Sequence, residues 1–313
     1  MRVTIFGINL ILDPVAFKLD FTIPWTDIRI NFPVYWYGIL IAVGFIGALV
    51  YAYIRAKKFG LDIDRVIDVV LVATPLAVLG ARTYYVLFDP NGQISSVGEF
   101  FGLGGSGIAG LAIYGGIIGA VIGGCIMAKI RKVKILDLLD LASIGFLIGQ
   151  GVGRWGNFFN QEAFGSLTGS DWWGMTSENT VDVVGRGLVH PCFLYESIWC
   201  LAGAVLLHFL SNKRRFSGQI ALYYCVWYGF GRTIIESFRT DSLMFFGFRV
   251  SQVLSVLICV AGIVGLVVIG RRKKTAVTDT TYESMFVDEL ADETAEEELG
   301  EEEPDEEVTE TEE

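Results

Sequence analysis

The run Gly149-Gln150-Gly151-Val152-Gly153-Arg154-Trp155-Gly156-Asn157-Phe158-Phe159-Asn160-Gln161-Glu162 sets an arginine, two asparagines and a glutamate at the end of an apolar, glycine-rich stretch. At bilayer depth a charged side chain costs about 2.5–3.5 kcal/mol on insertion scales, so an arginine placed there marks a functional site. Two more arginines have similar surroundings: Arg82 in Gly80-Ala81-Arg82-Thr83-Tyr84-Tyr85, and Arg232 in Tyr228-Gly229-Phe230-Gly231-Arg232-Thr233-Ile234-Ile235-Glu236. Arg232 and Glu236 lie four apart and share one helix face, so they can pair. Taken alone, that pair is equally consistent with helix packing. Three guanidiniums at one depth ask for more negative charge than Glu162, Glu236 and Asp140 supply there, and an anionic ligand would complete the balance. A guanidinium fork donates two hydrogen bonds to one phosphate and stays charged at any working pH. A phospholipid headgroup fits that description. Asn157 and Asn160 can offer neutral donors to phosphate or glycerol oxygens, or alternatively cap the end of the helix.

These side chains must be held by membrane helices. The chain is 52% hydrophobic, with seven apolar stretches near the length that crosses a bilayer: Val34–Ile54, Val66–Phe88, Ile108–Ala128, Leu136–Val152, Phe193–Leu210, Gln219–Phe238 and Val250–Ile269. The expected fold is therefore an all-α polytopic membrane protein, with residues 34–274 forming a seven-span catalytic domain. The glycine-rich run Gly102–Gly110 reads as a re-entrant or irregular approach to the third span.

The net charge of −11 hides two unlike parts. No Lys or Arg lies after Lys274, whereas 18 of the 35 acidic residues do, so residues 1–274 carry +7. Residues 275–313 read as a disordered acidic tail, too polar to bury a core. Basic clusters at Arg55–Arg65, Lys129–Lys134, Lys213–Arg215 and Arg271–Lys274 follow the first, third, fifth and seventh spans. All fall on one side, which the positive-inside rule makes cytoplasmic. The N-terminus and the arginine site then lie outside and the tail inside. Residues 1–33 carry no cleavage pattern and are expected to lie as an amphipathic piece on the outer interface. Residues 166–189, with Trp172-Trp173, are expected to cap the site. Five cysteines without a C-x-x-C pair read as small apolar residues, and two histidines without neighbouring ligands give no metal site.

The motifs resemble those of the bacterial prolipoprotein diacylglyceryl transferases. The run Gly153–Glu162 matches that family's G-R-x-x-N-F-x-N-x-E signature. Three further segments follow the family order: Tyr37-Gly38, then His190-Pro191-Cys192-Phe193-Leu194-Tyr195-Glu196, then Tyr228–Arg232 with Glu236 and Arg239. The resemblance covers about Asn31 to Gln252 and implies seven spans with the N-terminus outside, in the bacterial plasma membrane. It implies transfer of the diacylglyceryl group of phosphatidylglycerol to the lipobox cysteine of a prolipoprotein signal peptide, with no cofactor. Arg154 and Arg232 match the family's essential arginines and would stabilise the leaving phosphate. Glu162 and Glu236 would orient them or accept the thiol proton. Tyr37, Arg82, Asn157 and Asn160 join the arginines as expected phosphatidylglycerol ligands, and His190, Tyr195, Glu196, Arg239 and Asp140 are further candidates.

One departure stands out: Tyr114-Gly115-Gly116 puts tyrosine where many members have the histidine of an H-G-G segment. Phenol, with a pKa near 10, is a poor base at neutral pH, so Tyr114 is expected to position substrate or relay a proton. The attacking thiol belongs to the substrate, and neighbouring arginines can lower its pKa directly. The competing reading is an anion or lipid transporter with an arginine-lined site. The usual pointer to that class, paired broken helices in an internal repeat, is missing from the sequence.

Overall fold

The structure is a computed structural model that describes residues 1–22, 29–88, 100 and 112–272. The Gly102–Gly110 run and the acidic tail lie outside the described residues. Among the described residues seven helices are long enough to span a bilayer: α1 (Trp36–Arg55), α2 (Ile63–Leu87), α3 (Ile113–Ile130), α4 (Ile135–Asn160), α6 (Cys192–Ser211), α7 (Gln219–Phe238) and α8 (Val250–Arg272). A short helix, α5 (Glu178–Val184), lies between α4 and α6. Six of the seven are also strongly apolar along their length. The exception is α7, whose Gln219, Arg232 and Glu236 lower its hydropathy; Arg232 and Glu236 carry much of the polar bonding described below. The chain is a multi-pass membrane protein.

Helix α4 is the centre of the bundle, packed against α1, α6 and α7, while α2 pairs with α3 and α7 with α8. Small residues permit this closeness. A Cβ added to Gly44 of α1 would stand 3.1 Å from the Gly149 Cα of α4. Helix α4 also runs eight residues past the Val152 end expected from hydropathy, so the whole Arg154–Asn160 run is helical. Gln161, in the left-handed region at φ 53°, ends it. The asparagines are thus inside the last turns and do not serve as caps.

At the end of the bundle bearing the basic clusters, the helix ends are tied by polar contacts. Arg214 reaches Asp137 at 2.9 Å and Asp140 at 3.0 Å, and Asp140 also accepts the Gly218 and Ala221 backbone N–H groups at 2.8 Å. Arg131 pairs with Asp68, and Arg55 donates to Ser211 and Asn212.

The opposite end carries β-structure that an all-α expectation does not include. Strands β1 (Arg2–Ile5), β2 (Ile8–Ile11) and β5 (Met175–Ser177) form an antiparallel sheet in the order β2-β1-β5. β3 (Val15–Thr22) and β4 (Arg29–Tyr35) form a hairpin leading into α1. The N-terminal segment joins the segment between α4 and α6 as one cap: Val3 pairs with Ser177 and packs with Met175, Val189, Phe158 and Phe193.

Candidate functional site

At the cap end of the bundle, α4, α6 and α7 bring their charged residues to one carboxylate. Glu196, in the second turn of α6 and 3% exposed, is the hub. Its Oε2 forms an ion pair with Arg154 Nη2 of α4, and its Oε1 accepts Arg232 Nη1 of α7. Arg239, just past the end of α7, approaches the same Oε1 at 3.7 Å. Arg232 also pairs with Glu236 at 2.6 Å, the i,i+4 partner expected on one helix face.

Each member is set by its surroundings. Trp155 Nε1 donates to Ser197 Oγ at 3.1 Å, and Ser197 Oγ donates to the Gly151 carbonyl at 2.8 Å, which fixes α6 on α4 beside Arg154 and Glu196. The chain leaving α4 returns to hold the end of α7: Ser166 N–H donates to the Phe238 carbonyl at 2.8 Å and Thr240 Oγ1 to the Phe164 carbonyl at 3.2 Å. That places Arg239, which makes a two-pronged contact with Asp241 at 2.9 and 2.7 Å. Burial alone would raise the Asp241 carboxyl, but the Arg239 bonds outweigh it and hold it below its ordinary value. Glu236, 1% exposed, accepts Ser242 Oγ at 2.8 Å, and its backbone carbonyl accepts Arg249 Nη1.

The remaining expected site residues fall into place around this cluster or apart from it. Arg154 Nη1 lies 3.5 Å from Asn157 Oδ1, Asn157 Nδ2 donates to Glu162 Oε1 at 3.0 Å, and Asn160 Nδ2 reaches the same oxygen at 3.3 Å. Glu162 is exposed and bound by these two amides, and among the described residues no guanidinium pairs with it. Tyr37 of α1 packs its ring over Gly156, two residues beyond Arg154. His190 Nδ1 lies 3.1 Å from Tyr195 OH, which accepts Trp173 Nε1 at 2.7 Å. Tyr114, in the first turn of α3 and 48% exposed, neighbours the Tyr84 ring of α2.

Two expectations need correction. Asp140 does not share the site: it sits 14 residues before Arg154 on α4, about 21 Å along the axis, in the Arg214 latch at the other end. The third guanidinium at Glu196 is Arg239, whereas Arg82 of α2 donates its Nε to the Phe100 carbonyl at 2.9 Å. The charge balance also changes. Glu196, Glu236 and Asp241 pair with Arg154, Arg232 and Arg239, so the protein supplies counter-charges that the sequence reading left to a ligand. What the cluster retains for an anion is donors: a guanidinium has five N–H groups, and Arg154, 22% exposed at its side chain, is the most open of the three.

Asp241, Ser242, Arg249 and Ser197 belong to this network and were not picked out from sequence. Asp241, Ser242 and Ser197 had only their position, within three residues of Arg239 or Glu196, as a signal, and Arg249, ten residues past Arg239, had none.

A profile of the family described as prolipoprotein diacylglyceryl transferase matches residues 26–268. The phosphatidylglycerol–prolipoprotein diacylglyceryl transferase 1 of Clostridium perfringens is 39% identical over 271 residues, covering 84% of this chain and 97% of that protein. The phosphatidylglycerol–prolipoprotein diacylglyceryl transferase of Streptococcus pneumoniae is 40% identical over 268 residues, covering 84% and 96%. That of Streptococcus sanguinis is 39% identical over 266 residues, covering 84% and 97%. None of these matches supports the transporter alternative. A profile match spanning most of the chain, joined to relatives this similar along nearly their whole length, means that the chain belongs to the prolipoprotein diacylglyceryl transferase family.

Proposed function

We propose that this protein transfers the diacylglyceryl group of phosphatidylglycerol to the lipobox cysteine thiol of prolipoprotein signal peptides, the first step of lipoprotein maturation. It does so in the bacterial plasma membrane, with the cap and the arginine cluster on the outer side, the basic loops in the cytoplasm, and residues 275–313 as an acidic cytoplasmic tail. The thiolate sulfur attacks the glycerol carbon that bears the phosphate. A C–S bond forms, the C–O bond to phosphate breaks, and glycerol phosphate leaves with the bonding electrons.

The developing charge is on the leaving phosphate, and preorganised donors aimed there stabilise the transition state most. Arg154 and Arg232 have that role, supported by their convergence on Glu196 from two different helices. Glu196 and Glu236 hold the guanidinium planes. Asn157 and Asn160 bind the headgroup from the same face of α4, and Glu162, on the exposed side of those amides, takes the thiol proton. Tyr37 and Tyr114 position substrate, and Arg82 steadies the end of α2 near it. His190 and Tyr195, bonded to each other and to Trp173, hold the cap side of the site, and Arg239 adds a third guanidinium beside Glu196.

The observation that carries this reading is the Arg154–Glu196–Arg232 bridge. Arg154→Lys tests it. Lysine keeps the charge but loses the planar fork, so the variant should accumulate normally in membranes and lose transfer. Loss of abundance instead would mark a structural role.

A further inference from the structure

The connection between α7 and α8 is a hairpin whose large apolar residues face outward. Strands β6 (Met244–Phe245) and β7 (Phe248–Arg249) pair antiparallel across Phe246-Gly247. Leu243, Met244, Phe245, Phe246 and Phe248 are all exposed, Phe246 to 86%. The two turn residues both have positive φ, 47° at Phe246 and 79° at Gly247. Asn-Gly makes such a turn most readily, and a bulky side chain in the left-handed region is disfavoured by its own Cβ. A phenylalanine at that position, 86% exposed and not packed against the body of the protein, points to a partner outside the chain.

The surroundings of the hairpin identify the partner. The hairpin stands between two membrane helices, and the helix it enters, α8, presents Val253, Leu254, Val256 and Leu257 outward at its start. Its apolar surface is therefore continuous with the lipid-facing surface of a span. Strands rise about 3.3 Å per residue, so two-residue strands keep the tip within about 10 Å of α8, comparable with a headgroup layer roughly 5–8 Å deep. The base is charged, with Arg239, Asp241 and Arg249, and the tip is apolar, the division found in interfacial anchors. The base also touches the site: Ser242 donates to the Glu236 carboxylate, Arg249 to the Glu236 carbonyl, and Val250 N–H to the Leu243 carbonyl at 3.0 Å.

We propose that Met244–Phe248 is a membrane anchor, seated among the headgroups and upper acyl chains of the leaflet on the side of the arginine cluster, with phospholipid as its occupant. The anchor keeps Ser242 and Arg249 on Glu236 and so steadies the partner of Arg232. The lipid contact does not rest on the transferase reading.

The test places p-benzoylphenylalanine at position 246 of the full chain, in vesicles of phosphatidylglycerol and phosphatidylcholine. Irradiation followed by mass spectrometry should give lipid adducts severalfold in excess of protein adducts. Cross-linked dimers in excess would replace lipid with a second copy, and absence of lipid adducts would mean a hairpin in water; either overturns the proposal. A second measurement avoids the bulky analogue. In Phe246→Asn, whose side chain suits the turn, trypsin should cut after Arg249 severalfold faster in the same vesicles, and cleavage at the wild-type rate contradicts lipid shielding. Since neither readout involves catalysis, failure here leaves the transfer reaction untouched.

Discussion

Trp199 of α6 donates its indole N–H to the Trp227 carbonyl at 2.9 Å, and Trp227 of α7 returns the bond to the Trp199 carbonyl at 2.9 Å, with the rings stacked 4.3 Å apart. Glu196 lies three residues before one indole and Arg232 five after the other. The reciprocal clasp therefore sets the helix spacing across which the central ion pair forms. It fits only because Gly231 faces the Trp199 indole and Gly203 faces the Trp227 indole.

Filling that space should loosen the site. Gly231→Ala is expected to cost about 1–3 kcal/mol, the range for overpacking, and to reduce transfer. At Gly124 an added methyl would meet its nearest neighbours at an ordinary 3.9 Å, so Gly124→Ala should leave both unchanged. Thermal unfolding in detergent beside an activity assay separates them; equal behaviour of the two variants would rule out the clasp.

Neutralising the hub should be severe. Glu196→Gln leaves Arg154, Arg232 and Arg239 facing an amide, and removing one partner of a buried ion pair costs about 3–5 kcal/mol. Lowered melting together with lost transfer is expected. A variant with normal kcat would show that the carboxylate does not orient the arginines.

The Asp140 latch should behave in the opposite way. Asp140→Asn weakens contacts with Arg214 and two backbone N–H groups, so melting should fall while the protein that remains folded keeps its KM and kcat. A selective fall in kcat would tie Asp140 to the chemistry after all.

These contrasts bear on what the sequence made legible. Hydropathy found the bundle because spans need long apolar runs, and it ended the fourth span at Val152 because Arg154 and Asn157 look too polar to continue it. They are tolerated because each finds a partner in the fold: Arg154 in Glu196 of α6, and Asn157 in Glu162 just past the helix end. Spacing found Arg232–Glu236, since i,i+4 is a local relation. It did not rank Glu196 at the centre, because the Arg154–Glu196 and Arg232–Glu196 contacts join different helices. The Asp140 error has the same origin: sequence gave its charge, but not which end of α4 would face the arginines. The cap strands escaped notice because β1, β2 and β5 are four residues or fewer and gain their partners only in the fold.

His190 gives a pH test. Burial disfavours its imidazolium, so its folded pKa lies below the ordinary value of about 6.5. A depressed folded pKa means the unfolded chain takes up the proton first, so its contribution is full above about pH 6.5 and is lost as pH falls through the folded value. His190→Phe, which cannot titrate, should show a melting gap from wild type that narrows between pH 7.5 and about 5. A gap that widens on acidification would reverse the sign and contradict a half-buried neutral imidazole.

The central claim is that Arg154 binds the phosphate that leaves. Purified full-length protein in phosphatidylglycerol micelles, given a lipobox peptide, should raise the peptide mass by one diacylglyceryl group and release glycerol phosphate in equal amount. Arg154→Ala, equally well folded, should do neither. Full-rate transfer by that variant would contradict the account.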